Sequence, residues 1–187
     1  IVKVNNNVYL AMNFEYREIL ENNEKPPILP DKLKGHVENK SSDVEFLNFT
    51  YNYCRLILKE IIQNTKNIGF INFMRDDDGI SRQGPTFFKY HDDFYRFLAL
   101  KASSDYLKKH ENNKFDKYTI NSEKYLVMGK RKFHLDNDGR MVLNWYGPNL
   151  KTFGEVPFWK VYKSIENIQQ GKKPVINRGY FKNKVVF

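Results

Sequence analysis

Apolar positions fall into short runs of two periods along this chain, and the two periods predict strands and helices in mixed order. An apolar-rich stretch over 8–14 predicts a strand. Residues 15–44 are charged and broken by Pro26, Pro27 and Pro30, which predicts a short helix and then a loop. Over 46–64, Phe46, Phe49, Tyr53, Ile57 and Ile61 recur at three- and four-residue steps behind Asp43 as a cap, so a helix is predicted. Residues 67–74, with Ile68, Phe70, Ile71 and Phe73, predict a strand that turns at Asp76-Asp77-Asp78-Gly79 into another through Phe87, Phe88 and Tyr90. A second helix is predicted over 94–110, with Phe94, Leu98, Ala102 and Tyr106 in one row; Lys108, Lys109 and His110 suit its negative C-terminal end. Strands are predicted over 125–128 and 130–135, and the turn Asp136-Asn137-Asp138-Gly139 joins the latter to a strand over 141–146. There Met141, Leu143 and Trp145 share a face, which predicts a core position for Trp145. A short amphipathic helix over 158–168, anchored by Phe158, Val161, Tyr162, Ile165 and Ile168, precedes a closing strand. This order predicts an α/β or α+β class with a single mixed β-sheet and about three helices packed on it.

The length of 187 residues suits one globular unit, and 16% aromatic residues can build a core. One cysteine, Cys54, allows no internal disulfide and no cysteine-based zinc cluster. It falls on the apolar side of the predicted helix, as a buried thiol would. The net charge of +9 is unevenly placed: residues 1–99 carry 13 Lys and Arg against 14 Asp and Glu, and residues 100–187 carry 18 against 8. A basic half points first to an acidic partner such as nucleic acid. However, Lys130, Arg131 and Lys132 alternate along a strand, and no recognition helix, zinc finger or RNA-binding aromatic run accompanies them. The charge therefore reads as a solvated basic surface. No stretch reaches the roughly 18–20 apolar residues of a membrane span.

Motifs for catalysis are sparse. The chain has no phosphate-binding loop and no Gly-x-Gly-x-x-Gly, and Gly79-Ile80-Ser81-Arg82-Gln83 lacks the second glycine of a nucleophile elbow. His36, His91, His110 and His134 are scattered without metal-ligand spacing. Neither Asp-x-Asp-Gly turn places an acidic residue at the first and twelfth positions of a calcium loop, so both read as tight turns. No cofactor and no metal is expected.

Taken in order, the motifs resemble one sensory family. Gly69, Asn72, Asp76, Asp78, Gly79, Arg82 and Pro85 resemble the "G-x-x-N…D-x-D-G-x-x-R-x-x-P" segment of the type 2 CHASE domain, the cyclase/histidine-kinase-associated sensory extracellular domain. Residues 95–102, with Leu98-Ala99-Leu100, are similar to its "aromatic-P-S-L-A-L" helix. Leu143-Asn144-Trp145-Tyr146-Gly147-Pro148 and Thr152-Phe153 are similar to its "I-N-Y-R-G-P…T-F" strand and loop, and Asn183-Lys184-Val185-Val186 to its closing strand. Departures are local: Gln83 stands where a second arginine often follows, Arg96 and Phe97 replace the Pro-Ser pair, and Trp145 and Tyr146 replace Tyr and Arg.

The resemblance implies a single sensory domain over 1–187, excised from a longer chain. It would lack the family's opening strand–helix portion and flanking transmembrane helices. It implies no catalysis by this domain, a periplasmic location on a bacterial inner-membrane protein, and a cyclase or kinase output. Expected partners are an unidentified small-molecule or protein stimulus, a second copy of the chain, and the membrane through the parent's helices, rather than nucleic acid. The alternatives are a basic nucleic-acid-binding module on residues 100–187 and, remotely, a small hydrolase using Asp76, Asp78 and His91. A ligand site is expected at Arg82, Asp76, Asp78, Asn144, Trp145 and Tyr146. There Arg82 offers a bidentate donor and the two aromatics offer stacking surfaces. An internal salt bridge from Arg82 to the aspartates, stiffening the turn, is the competing expectation and the favoured one.

Overall fold

The computed structural model describes residues 8–15, 27–35, 37–40, 53–55, 59–91, 93–111, 118–147, 152–182 and 184. Two compact units divide the chain, residues 1–143 and 144–187.

In the first unit, strand β1 (Leu10–Glu15) alternates as its sequence predicts, sending Met12 and Phe14 inward. It is central in a three-stranded sheet between β3 (Tyr53–Arg55), antiparallel to it, and β4 (Ile68–Phe70), parallel to it. The parallel pair is closed by a crossover that includes the short helix α1 (Lys59–Asn64). Strand β2 (Val37–Lys40) pairs in parallel with β8 (Tyr118–Ile120), and β9 (Tyr125–Met128) and β10 (Arg131–His134) extend that sheet as an antiparallel hairpin. Two further pairs are β5 (Gln83–Pro85) with β11 (Arg140–Val142), and β6 (Phe87–Tyr90) with β7 (Asp93–Arg96). Helix α2 (Leu98–Glu111) lies on β4, and its last turn carries Lys108, Lys109 and His110 as expected.

An α+β arrangement with three helices among the described residues is therefore present, but its ladders divide into four sheets rather than one. Strand β6 is buried on both faces. Phe88 and Tyr90 join a core with Met12, Phe14, Phe70 and Tyr95, whereas Phe87 joins a second core with Leu100, Tyr118, Ile120, Leu126 and Leu135. Isolated bridges link neighbouring ladders, Phe70 with Phe97 and Leu135 with Met141.

Two predicted helices begin too early. Residues 53–55 form β3, because Cys54 sits opposite Phe14 in the ladder with β1 and is fully buried. Of the helix predicted over 46–64, only Lys59–Asn64 is helical; 46–52 and 56–58 lie outside the described residues, as does Asp43. Likewise 93–96 form β7, held by β6 through Phe88 opposite Tyr95, and the helix starts at Leu98. Its inward face is Leu100, Lys101 and Ser104; in the predicted row Tyr106 is exposed.

The strand predicted over 67–74 stops at Phe70. Beyond it, the Asn72 side chain replaces the missing ladder, its Nδ2 donating to the Phe14 carbonyl (2.7 Å) and its Oδ1 accepting the Phe14 N–H (2.9 Å). One amide thus satisfies both backbone groups of a buried residue, which would otherwise be left unpaired.

In the second unit, helix α3 (Phe158–Gln169) forms where its periodicity predicts, after Pro157. Its packing runs through a polar face instead of the predicted anchors. The Ser164 hydroxyl donates to the Lys160 carbonyl and accepts the Ile176 N–H, while Asn167 donates to the Lys173 carbonyl. Phe158, Tyr162, Ile165 and Ile168 are exposed. The segment 178–182 is a turn, and the rest of the predicted closing strand, save Lys184, lies outside the described residues.

Candidate functional site

Both Asp-x-Asp-Gly turns are built by the same local chemistry. In the first, the Gly79 N–H donates to the Asp76 carbonyl and the Asp76 N–H to the Ile80 carbonyl, with Gly79 at a φ of 80°. That left-handed conformation is one glycine adopts without steric cost. Asp78 accepts the Ile80 N–H, and Arg82 then grips the same carboxylate in bidentate fashion, at 3.0 and 2.7 Å, with a third bond of 3.0 Å to Asp76. In the second turn Asp136 accepts the N–H groups of Asp138 and Arg140, and the Arg140 guanidinium closes back on Asp136 (2.8 Å) and Asp138 (3.0 Å). Each turn is thus an aspartate pair locked by an arginine two or four residues after its glycine-side aspartate.

The Arg82 guanidinium, with the Ile80 N–H behind it, holds the Asp78 carboxyl down at about 2, below the usual 3.8. A carboxylate with a lowered folded-state pKa contributes stability that is present above its unfolded value and lost as pH falls through the folded one. Arg82→Gln removes that contribution. The variant is expected to enter acid unfolding at a higher pH than the parent chain, by a fraction of a pH unit because the pair is exposed and solvent-screened. The two curves should converge below about pH 2. Circular dichroism followed from pH 6 to pH 1.5 checks this; superimposable acid limbs would show that the pair stiffens nothing.

Arg82 is therefore spent inside its own turn, in line with the favoured expectation. The structure brings Arg82, Asp76 and Asp78 together but keeps the two turns apart. In the β5–β11 register the Leu143 N–H donates to the Arg82 carbonyl at one end of the ladder, while the Thr86 hydroxyl donates to the Gly139 carbonyl at the other. Asn144, Trp145 and Tyr146 open the second unit. Trp145 is 68% exposed, which overturns its predicted core position. The alternation that carried this expectation ends with β11 at Val142. Around the second turn lies an open hollow of about 430 Å³ lined by Lys124, His134, Asn137 and Arg140 among others. Its cations are engaged, Arg140 as above and Lys124 with the Asn137 side chain at 2.5 Å.

Among the described residues no group of three or more His, Cys, Asp or Glu is arranged to hold a metal. His91 packs edge-on to Tyr90, with ring centroids 4.4 Å apart. Cys54 is buried, and burial, helped by Glu15, pushes its thiol up to about 12, far from a nucleophile's range.

One polar cluster has no counterpart among the expected site residues. Lys101 and Ser104, on the inward face of α2, are 4% and 2% exposed. Lys101 forms an ion pair with Asp105, whose carboxylate also accepts the Tyr9 hydroxyl at 2.9 Å, and the Tyr118 hydroxyl donates to Ser104 at 2.8 Å. The signal the sequence offers for it is a lysine inside the apolar run Leu98-Ala99-Leu100-Lys101-Ala102.

These features define a small α+β domain whose motif residues hold turns and ladders together: Gly69 and Asn72 at the edge of β4, Asp76, Asp78 and Arg82 in a locked turn. The CHASE2 domain model matches residues 6–187, and the chain belongs to the CHASE2 family. CHASE2 domains are sensory, extracellular domains of signalling proteins and not catalytic ones. No curated protein and no solved structure matches the chain.

Proposed function

We propose that this chain is the periplasmic sensory part of a bacterial inner-membrane signalling protein, receiving a small-molecule or protein stimulus and passing its binding to a cytoplasmic adenylate or guanylate cyclase, histidine kinase or protein kinase. The family match over residues 6–187 carries this reading. Signalling requires a stimulus that binds one of two arrangements of the domain better than the other, since equal binding shifts nothing. A dimer of the chain would carry such a shift to the output. The test is the topology of the parent protein, with alkaline phosphatase or β-galactosidase joined after Phe187. Active phosphatase and inactive galactosidase are expected in intact cells, and the reverse pattern would overturn the extracytoplasmic assignment.

A further inference from the structure

Helix α3 packs by the side that its pattern would leave in water. Phe158, Tyr162 and Ile165 recur at four- and three-residue steps, with Ile168 beside them, and all four are 41–79% exposed. The opposite side is the one its own unit holds. There the Ser164 hydroxyl accepts the Ile176 N–H at 2.9 Å, the Asn167 side-chain amide donates to the Lys173 carbonyl at 2.9 Å, and the Asn167 carbonyl accepts the Lys172 N–H at 2.7 Å. Rolling the helix to bury its apolar side on the segment 171–176 would break those bonds and leave the buried Ser164 hydroxyl short of a partner. The apolar side is therefore held outward by polar bonds, and a continuous apolar side so held marks an interaction surface.

Charge selects what covers it. Residues 144–187 hold 8 Lys and Arg against 2 Asp and Glu, so most of the chain's net charge of +9 lies in this unit. A second copy would bring the same charge to the contact and be repelled, whereas an anionic surface is attracted. A nucleic acid would use the cations and leave Phe158 and Ile165 in water. A lipid surface uses both, since Phe, Trp and Tyr rings settle at the headgroup boundary and isoleucines just beneath it. Lys160 holds its ammonium 5.7 Å from the Trp159 ring centre, and Lys172 and Lys173 follow just after the helix, both exposed. The 12 residues of α3 span about 18 Å, and among the described residues no helix is long and apolar enough to cross a membrane. Such a helix lies along a lipid surface instead of through it.

We propose that the Phe158–Tyr162–Ile165–Ile168 side of α3 is a docking surface for an anionic lipid membrane, the helix lying flat with these side chains in the headgroup boundary and the neighbouring lysines against lipid phosphates. This deepens the sensory reading by giving residues 144–187 a lipid partner, and it rests on that reading only for a membrane being at hand.

The test sediments the 187-residue chain with vesicles of phosphatidylcholine alone and of phosphatidylcholine mixed with phosphatidylglycerol. Binding to the mixed vesicles alone is expected. It should weaken about tenfold in Ile165→Ser, which removes one half-exposed apolar side chain from the contact, with Tm held. It should weaken about fivefold for each lysine in Lys172→Gln and Lys173→Gln, the share of one cation at an anionic surface. No binding to mixed vesicles, equal binding to both kinds, or binding as tight in Ile165→Ser as in the parent chain would overturn the surface. So would a marked fall of Tm in Ile165→Ser, which would mean that the chain itself covers the face. A lipid-free dimer in sedimentation equilibrium that Ile165→Ser dissolves would assign the face to a second copy and overturn the lipid partner. Vesicle binding is read on the chain itself, so its failure leaves the extracytoplasmic assignment to the topology test, and a failed topology test leaves the measured binding intact.

Discussion

Gly69→Ala is expected to cost about 3 kcal/mol, at the upper end of what overpacking a tight contact costs. A Cβ at position 69 would lie 2.6 Å from the Leu98 Cα, 2.9 Å from its nitrogen and 3.1 Å from the Arg96 carbonyl oxygen. All three are backbone atoms, so no rotamer change relieves the clash; β4 and α2 would have to separate. Against a total of about 5–15 kcal/mol for a typical domain, this is between about a fifth and three fifths of the stability. Urea unfolding would read it as a lowered midpoint with the slope retained. Gly79→Ala is the matched control. Nothing lies within 4 Å of its Cβ, so only the strain of a φ of 80° remains, about 1 kcal/mol. Equal losses in the two variants would show that close approach of α2 to β4 is not what position 69 demands.

Phe14→Ala is expected to cost about 4 kcal/mol. Phe14 is 1% exposed and stacks on Phe88 with centroids 4.4 Å apart. Tyr90, Tyr95 and Phe70 surround it at 5.1 to 6.1 Å. Removing the ring leaves a cavity that β-sheet neighbours on three sides cannot collapse to fill. Phe14→Leu, which keeps most of the volume, should cost about 1.5 kcal/mol. Thiol labelling gives an independent readout, because Cys54 sits directly opposite Phe14 in the β1–β3 ladder. In the native chain Cys54 should label only as fast as the whole fold opens; in Phe14→Ala labelling should accelerate in step with the lost stability. Unchanged labelling alongside a full loss of stability would mean that β1 and β3 do not open together.

Much of the first unit is legible in the residue pattern because its causes are local. Alternation places β1, β6 and the β9–β10 hairpin; the Asp-x-Asp-Gly turns follow from the backbone bonds Asp accepts and the φ that glycine adopts. The internal lock of Arg82 on Asp76 and Asp78 is legible too, since charges four and six residues apart across a tight turn must meet. The helix predicted from Phe94 fails for the opposite reason. Phe94 and Tyr95 fit a helical row as well as a strand, and β6 decides the matter from outside by offering a ladder to pair with. Tyr53 and Cys54 belong to a strand for the same reason, with β1 as the decisive neighbour.

Of the candidate site, the sequence indicates one half and misses the other. It names the aspartate turns, but their separation at opposite ends of the β5–β11 ladder depends on strand register, which no local pattern encodes. It passes over Lys101, since a lysine in an apolar helix run reads as solvated until something covers it. What covers it comes from Tyr9, far earlier in the chain, and from the α2–β4 contact that Gly69 permits.

By itself, then, the sequence determined a mixed α and β class, the turn chemistry and the ordered motifs of a sensory family, because each is set by neighbours within a few residues. Only the tertiary structure decided which short apolar runs became strands, that the described strands form four sheets around two cores, and that Lys101 and the Tyr9 hydroxyl meet on the Asp105 carboxylate. Those outcomes depend on pairing between segments tens of residues apart, whose burial and electrostatic energies exist only once the segments have met.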